Sequence, residues 1–233
     1  MSRRSLILAL VLPALVLGLG GILMLLLRYE PSHYRKAVVE SDKRLPLSRE
    51  FWAAFSDCWN AMQSNDRAWN AKFRDEQINA FIQTGQADKL FPEGISDPRV
   101  VFEPERMRLA FRYRSGIINT IVSISIKMWL PGSESNVLAL QLERIDAGLV
   151  PFSAPWLLER ISEVGRNNGI EVNWYRHEGY PIALIRFQAD QARPTLQLEA
   201  VQFEQGSITI HGRSREGQLG ATAEVRDGAP GVP

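Results

Sequence analysis

Between Ser5 and Leu27 the chain runs for 23 residues without a charge, most of them Leu, Ile, Val and Ala. No other feature constrains it as much, because about 20 apolar residues rising 1.5 Å each cross the hydrocarbon core of a bilayer. Pro13, Gly18, Gly20 and Gly21 would weaken a helix in water, but hydrocarbon leaves the backbone no other solution. The run exceeds the apolar part of a signal peptide, and Leu25-Leu26-Leu27-Arg28-Tyr29 offers no small-x-small cleavage site. A transmembrane signal-anchor over 5–27 is expected, behind a short tail over 1–4. Arg3 and Arg4 favour a cytoplasmic N-terminus, whereas Arg28, Arg35, Lys36, Lys43 and Arg44 on the other flank oppose it. Long domains translocate largely regardless of charge, so the expected topology places the domain outside the cytoplasm. The alternative is a domain on the cytoplasmic face.

Residues 28–47 mix charges with Pro31 and Pro46 without apolar periodicity and read as a tether. From Ser48, a candidate N-cap, Phe51, Phe55, Cys58, Trp59 and Met62 recur at helical spacing. Trp69–Phe73 reads as a strand, and Asp75 caps a second helix with Ile78, Phe81 and Ile82 before Gly85. The period then falls to two, and four strands follow at 100–102, 107–113, 122–130 and 138–142. Ser153 and Pro155 open a third helix, carrying Leu157, Leu158, Ile161 and Val164 and ending at Asn168-Gly169. Four more strands centre on Val172, on Ile185 with Phe187, on Leu196 and Leu198, and on Ile208 and Ile210. From 213 to 233, Gly, Ala, Pro and charges predict a disordered tail. Short connections make the strands antiparallel, and each half-buried face needs a cover. The expected fold class is α+β: an N-terminal transmembrane helix, then a domain over 48–212 whose long curved antiparallel sheet packs on helices.

The chemistry-bearing patterns are sparse. There is no Gly-x-Ser-x-Gly elbow, no phosphate cradle and no dinucleotide fingerprint. His33, His177 and His211 lack metal-ligand spacing, and Cys58, the single cysteine, sits on an apolar stripe. No catalytic residue, metal or cofactor is assigned, and a non-enzymatic protein is expected. A formal net charge of +1 removes a global electrostatic argument for nucleic acid. Locally, Arg99–Lys127 holds six basic residues against Glu103 and Glu105. Arg106, Arg108, Arg112 and Arg114 project from one sheet face and are candidates for anionic lipid headgroups. The competing reading pairs these arginines across strands with Glu103, Glu105 and Glu143.

The segment Phe73-Arg74-Asp75-Glu76-Gln77-Ile78-Asn79-Ala80-Phe81-Ile82 resembles the strand-into-helix segment of the YpmS-like family of bacterial membrane-anchored proteins. Ala147-Gly148-Leu149-Val150-Pro151 before a helix is similar in kind, and the resemblance spans residues 69–212. It implies an extracytoplasmic domain akin to the tubular lipid-binding (TULIP) folds, in which a curved sheet wraps a helix and holds acyl chains in the seam. The candidate lipid contacts are Met107, Leu109, Phe111, Val122, Ile124, Ile126 and Met128, with Trp59 opposite; the same residues would also make a solid core. The alternative to a lipid-binding module is a membrane-tethered interaction or assembly module that holds another protein of the cell envelope.

Overall fold

The computed structural model describes residue 15 and residues 17–63, 68–86, 94–116, 118–132, 136–152, 155–167, 170–186 and 195–214. Helix α1 covers residues 17–27 of the long apolar run. Residues 1–14 and 16 of that expected span lie outside the described residues, and among the described ones no helix is long and apolar enough to cross a membrane. Also outside are residues 215–233 of the expected tail, Ser153 and Asn168-Gly169 of the expected helix ends, Phe187, and the side chains of Leu157 and Val164.

The stretch 28–47 differs from a tether. It holds a short helix, α2 (Ser32–Lys36), and the opening turns of α3 (Ser41–Met62), which starts ahead of Ser48 and accommodates Pro46 inside it. Tyr34, Val39 and Leu47 are buried there, so the segment belongs to the packed structure. Its apolar residues are too widely spaced to show a period, because they dock one at a time rather than as a helix face.

Strand β1 (Ala68–Arg74) passes directly into α4 (Asp75–Phe81), and its burial alternates strictly, as period-two patterning requires. The Gln77 amide oxygen accepts the Arg74 N–H at 3.1 Å, half of a capping box at the strand-to-helix corner. Helix α4 runs on into a π turn over Ile82–Gln86, where Gly85 at φ +82° permits the reversal. The next strands are β2 (Ile95–Glu103), β3 (Arg106–Ser115), β4 (Ile118–Trp129), β5 (Val137–Ala147) and β6 (Val150–Pro151), the last not foreseen from its two residues. After α5 (Pro155–Asn167) come β7 (Glu171–His177), β8 (Tyr180–Arg186), β9 (Leu196–Glu204) and β10 (Ser207–Ser214).

All pairings among the described residues are antiparallel, and the class is α+β with a long antiparallel sheet packed on helices. The strands form two sheets: β2-β3-β4-β5-β8-β7, with β6 on the end of β5, and a smaller β1-β10-β9. One apolar face of the large sheet is covered at one end by Leu158 and Ile161 of α5 together with Trp174 and Phe152. Its other end packs on the small sheet and α3 through Val201, Phe203, Ile210 and Phe51.

The sheets part at the outer edge of β2, where side chains replace a neighbouring strand. Val100 donates its N–H to Asn79 Oδ1 at 2.8 Å and accepts from Asn79 Nδ2 at 2.7 Å, so one buried amide imitates a strand partner. Phe102 donates its N–H to Asp75 Oδ2 at 3.2 Å, and its carbonyl accepts from Gly206 N–H at 3.0 Å. Gly206 in turn accepts from Asp75 N–H at 3.0 Å, which ties the β9–β10 turn to both α4 and β2. The edge is therefore closed and unavailable for pairing.

Asn79→Leu keeps the branched shape but strands two buried backbone groups, each costing about 1–3 kcal/mol. Chemical denaturation is expected to show a loss of about 2–4 kcal/mol. A loss below about 1 kcal/mol would mean that the β2 edge does not depend on this amide.

Candidate functional site

Three surfaces can bear function: the apolar sheet face, the polar sheet face, and the outer side of α3. On the first, period-two alternation puts Met107, Leu109 and Phe111 of β3 beside Val122, Ile124, Ile126 and Met128 of β4, as the register Leu109↔Ile124 shows. Phe111, Val122, Ile124 and Ile126 are buried with Leu142 in one cluster, filled in by Leu158, Ile161 and Trp174. Met107, Leu109 and Met128 are only partly buried and touch both apolar clusters, at the seam between the two sheets. Trp59 is not brought to this face, since it lies on the outer side of α3, half exposed. Four clefts lined by described residues carry none of these eight side chains.

The polar face carries the arginines, and the segment after α1 lies across its middle. Arg108 Nε is 3.0 Å from Glu103 Oε1, Arg106 Nη1 is 3.2 Å from Glu143 Oε2, and Arg112 Nη2 donates to Glu30 Oε1 at 2.6 Å. The first two are charge contacts without hydrogen-bond alignment, whereas the third is a true hydrogen bond. Arg114, nearest the β3–β4 turn, is exposed and has no ion-pair partner among the described residues. Cross-strand pairing with Glu103 and Glu143 thus engages Arg108 and Arg106, while Arg112 finds Glu30 from the stretch 28–47.

The centre of this face is closed by Tyr34, which is 1% exposed and packs on Ala110 and Ile121. Arg99 stacks its guanidinium 3.8 Å from the Tyr34 ring centroid and donates to the Tyr34 carbonyl at 2.7 Å. The Tyr34 hydroxyl donates to the Asp97 carbonyl at 3.1 Å. Nothing in the spacing of Tyr29 to Val39 signals this; a single Tyr between charges has no period to detect.

Beside Tyr34 opens a cleft of about 700 Å³ whose walls include His33, Arg106, Arg108, Ser123, Arg144 and Tyr180. His33 Nε2 lies 3.2 Å from Ser123 Oγ. Burial, and then the nearby Arg108, hold the imidazole below its ordinary value, opposed by Glu103 and Asp146. This is a base beside a hydroxyl without the third group that would orient it, since the imidazole forms no other hydrogen bond among the described residues. Among the described residues, no group of three or more His, Cys, Asp or Glu could hold a metal ion. Asp75, in the β2 edge network, has its carboxyl raised by burial, although the N–H groups of Phe102 and Glu76 pull the other way.

The third surface comes from α3 itself. Its inner side presents Phe51, Ala54 and Cys58 to the core, while Leu45, Trp52, Phe55 and Trp59 lie on another side and are 43–61% exposed. The aromatic stripe read from sequence therefore splits in two. Phe51 and Cys58 are core, and Phe55 and Trp59 face outward, because the run holds more aromatics than one 100°-wide face can take.

Compared with known proteins, the chain matches no family model, no curated protein and no solved structure.

His33 yields a pH prediction. Its folded value lies below the 6.5 of the free side chain, so the unfolded chain binds the proton first. Stability should therefore be full above pH 6.5 and fall as pH drops through 6.5 toward the folded value. Thermal unfolding of the detergent-solubilised chain at about pH 7.5 and about pH 5.5 is expected to show a drop that His33→Gln reduces. An unchanged drop in the variant would show that another group carries it.

Proposed function

We propose that this chain is a single-pass membrane protein of the cell envelope. Its α+β domain lies outside the cytoplasm and works by holding another envelope protein rather than by catalysis. The anchoring part is supported by α1, whose Leu17, Leu19, Ile22, Leu23, Leu25 and Leu26 are exposed all around the helix. A helix apolar on every side needs an apolar surrounding, and the domain does not supply one.

The single observation carrying the binding part is the outer side of α3. Leu45, Trp52, Phe55 and Trp59 form a second apolar strip on a helix whose first strip is already used in the core. Exposed Arg49 and Asn60 flank it. Aromatic centres with polar rims characterise protein interfaces, where Trp dominates the energetics. A membrane-surface helix would instead carry mainly Lys and Arg on its polar side, whereas α3 balances Lys43, Arg44 and Arg49 with Asp42, Glu50 and Asp57.

The lipid-binding reading rests on the seam. Met107, Leu109 and Met128 are the only three of the eight candidate contacts that are both partly buried and shared between the clusters. The four buried ones act as core. Flexible thioethers at a seam can repack around an apolar chain, and that favours keeping the reading as second.

A photo-crosslinking residue at position 55 or 59 of the membrane-bound chain in cells is expected to give one dominant protein adduct, absent when the probe replaces Asp57. Lipid adducts or no adduct at 55 and 59, together with copurifying lipid in native mass spectrometry, would overturn the interaction reading in favour of the lipid one.

A further inference from the structure

The foot of α1 is joined to the sheet rather than hung from it. Leu149 N–H donates to the Leu26 carbonyl at 3.0 Å, and Thr120 Oγ1 donates to the Leu27 carbonyl at 2.6 Å. Gly148, at φ +60°, lets the β5–β6 turn press against this foot; a Cβ there would collide with the carbonyls of Leu26 and Leu27. Arg28, the first charge after the apolar run, follows at once. Any bilayer holding α1 must therefore end within a few ångströms of Gly148, Leu149 and Thr120.

Two turns at this end of the sheet expose apolar side chains beside polar ones. Ile118 is 44% exposed at the tip of β3–β4, and Leu149 is 49% exposed at the tip of β5–β6. Thr120 sits level with the last turn of α1, and two strand residues from there to Ile118 span about 7 Å. The polar interface of a bilayer is about 5–7 Å deep on each side of its hydrocarbon core. Arg106, Arg108 and Arg112 have carboxylate partners, Arg112 one residue inward of the Thr120 level, whereas Arg28 and Arg114, the latter one residue outward of it, are exposed with no ion-pair partner among the described residues.

Resting on the membrane-anchored reading above, we infer that the domain is seated on the bilayer, with Ile118 and Leu149 dipped into the headgroup layer and Arg28 and Arg114 beside lipid phosphates. The occupant of this surface is the membrane that holds α1. The surface is continuous with the exit point of the helix, and its free charges are of the sign that attracts anionic lipid. Such seating fixes which way the α3 strip and the clefts of the polar face point, and it distinguishes the protein from a domain swinging on a flexible stalk.

The test uses the full chain with Cys58→Ser and a single new cysteine from Ile118→Cys, Leu149→Cys or, as a remote control on β1, Asn70→Cys. Each is labelled with an environment-sensitive dye and reconstituted in phosphatidylcholine–phosphatidylglycerol vesicles with or without spin-labelled lipid. Dyes at 118 and 149 are expected to be blue-shifted and to lose most of their emission to the spin-labelled lipid, and the dye at 70 to be unaffected. If 118 and 149 behave like 70 while alkaline carbonate leaves the chain in the vesicles, the seating is wrong and the anchoring stands. If carbonate extracts the chain, the anchoring fails and the seating with it.

Discussion

Tyr34 is the contact on which the rest of the arrangement depends. The polar face of the large sheet is rich in arginines, and such a face repels itself unless something neutralises and covers it. Tyr34 supplies the cover. Its ring takes the Arg99 guanidinium over one face and packs with Ala110 and Ile121, and its hydroxyl reaches the backbone of β2. A guanidinium over a desolvated aromatic ring contributes about 2 kcal/mol, more than the exposed ion pairs elsewhere on the surface, each worth about 0–1 kcal/mol. With Tyr34 fixed, Glu30 meets Arg112 and His33 meets Ser123. The chain between α1 and α3 thereby becomes a strap across the sheet.

A second constraint acts at the β2 edge. A strand with a bare outer edge invites pairing with another chain, and here α4 prevents it with two side chains spaced four residues apart, Asp75 and Asn79. Both project from the same side of the helix, so one short helix satisfies two alternate edge residues, Val100 and Phe102. The same residues lie at the corner where β1 passes into α4. Their structural duty, closing an edge and joining two sheets, accounts for the strand-into-helix pattern without any ligand. Asp75 does so at a cost, because burial works against its charged form.

What was legible in the sequence follows from periodicity. Strands β3 and β4 alternate so cleanly that their faces could be assigned from Met107–Tyr113 and Val122–Met128, and the α+β class follows from those runs with the helical spacing at Phe51–Met62. The division into two sheets was not legible, because it is made by Asn79 and Asp75, two polar residues on a helix whose partners lie 21 and 27 positions away. The strap reads as a tether in the sequence for a similar reason. It docks through single residues, Glu30, His33 and Tyr34, and isolated contacts leave no pattern in a linear chain. The arginine row was visible, but which arginine is paired depends on the strap and the neighbouring strands, and only Arg114 of the four candidates is left unpaired among the described residues.

The strap across the sheet and the bonded foot of α1 lead to one claim: helix and domain move as a single body. A double electron–electron resonance measurement between spin labels at positions 23 and 70 of the full chain, with Cys58→Ser, tests it most directly. The account predicts one narrow distance distribution, as sharp as that between positions 70 and 175 within the domain. A broad distribution between 23 and 70 beside a narrow one between 70 and 175 would mean that the helix is flexibly linked, contradicting the account.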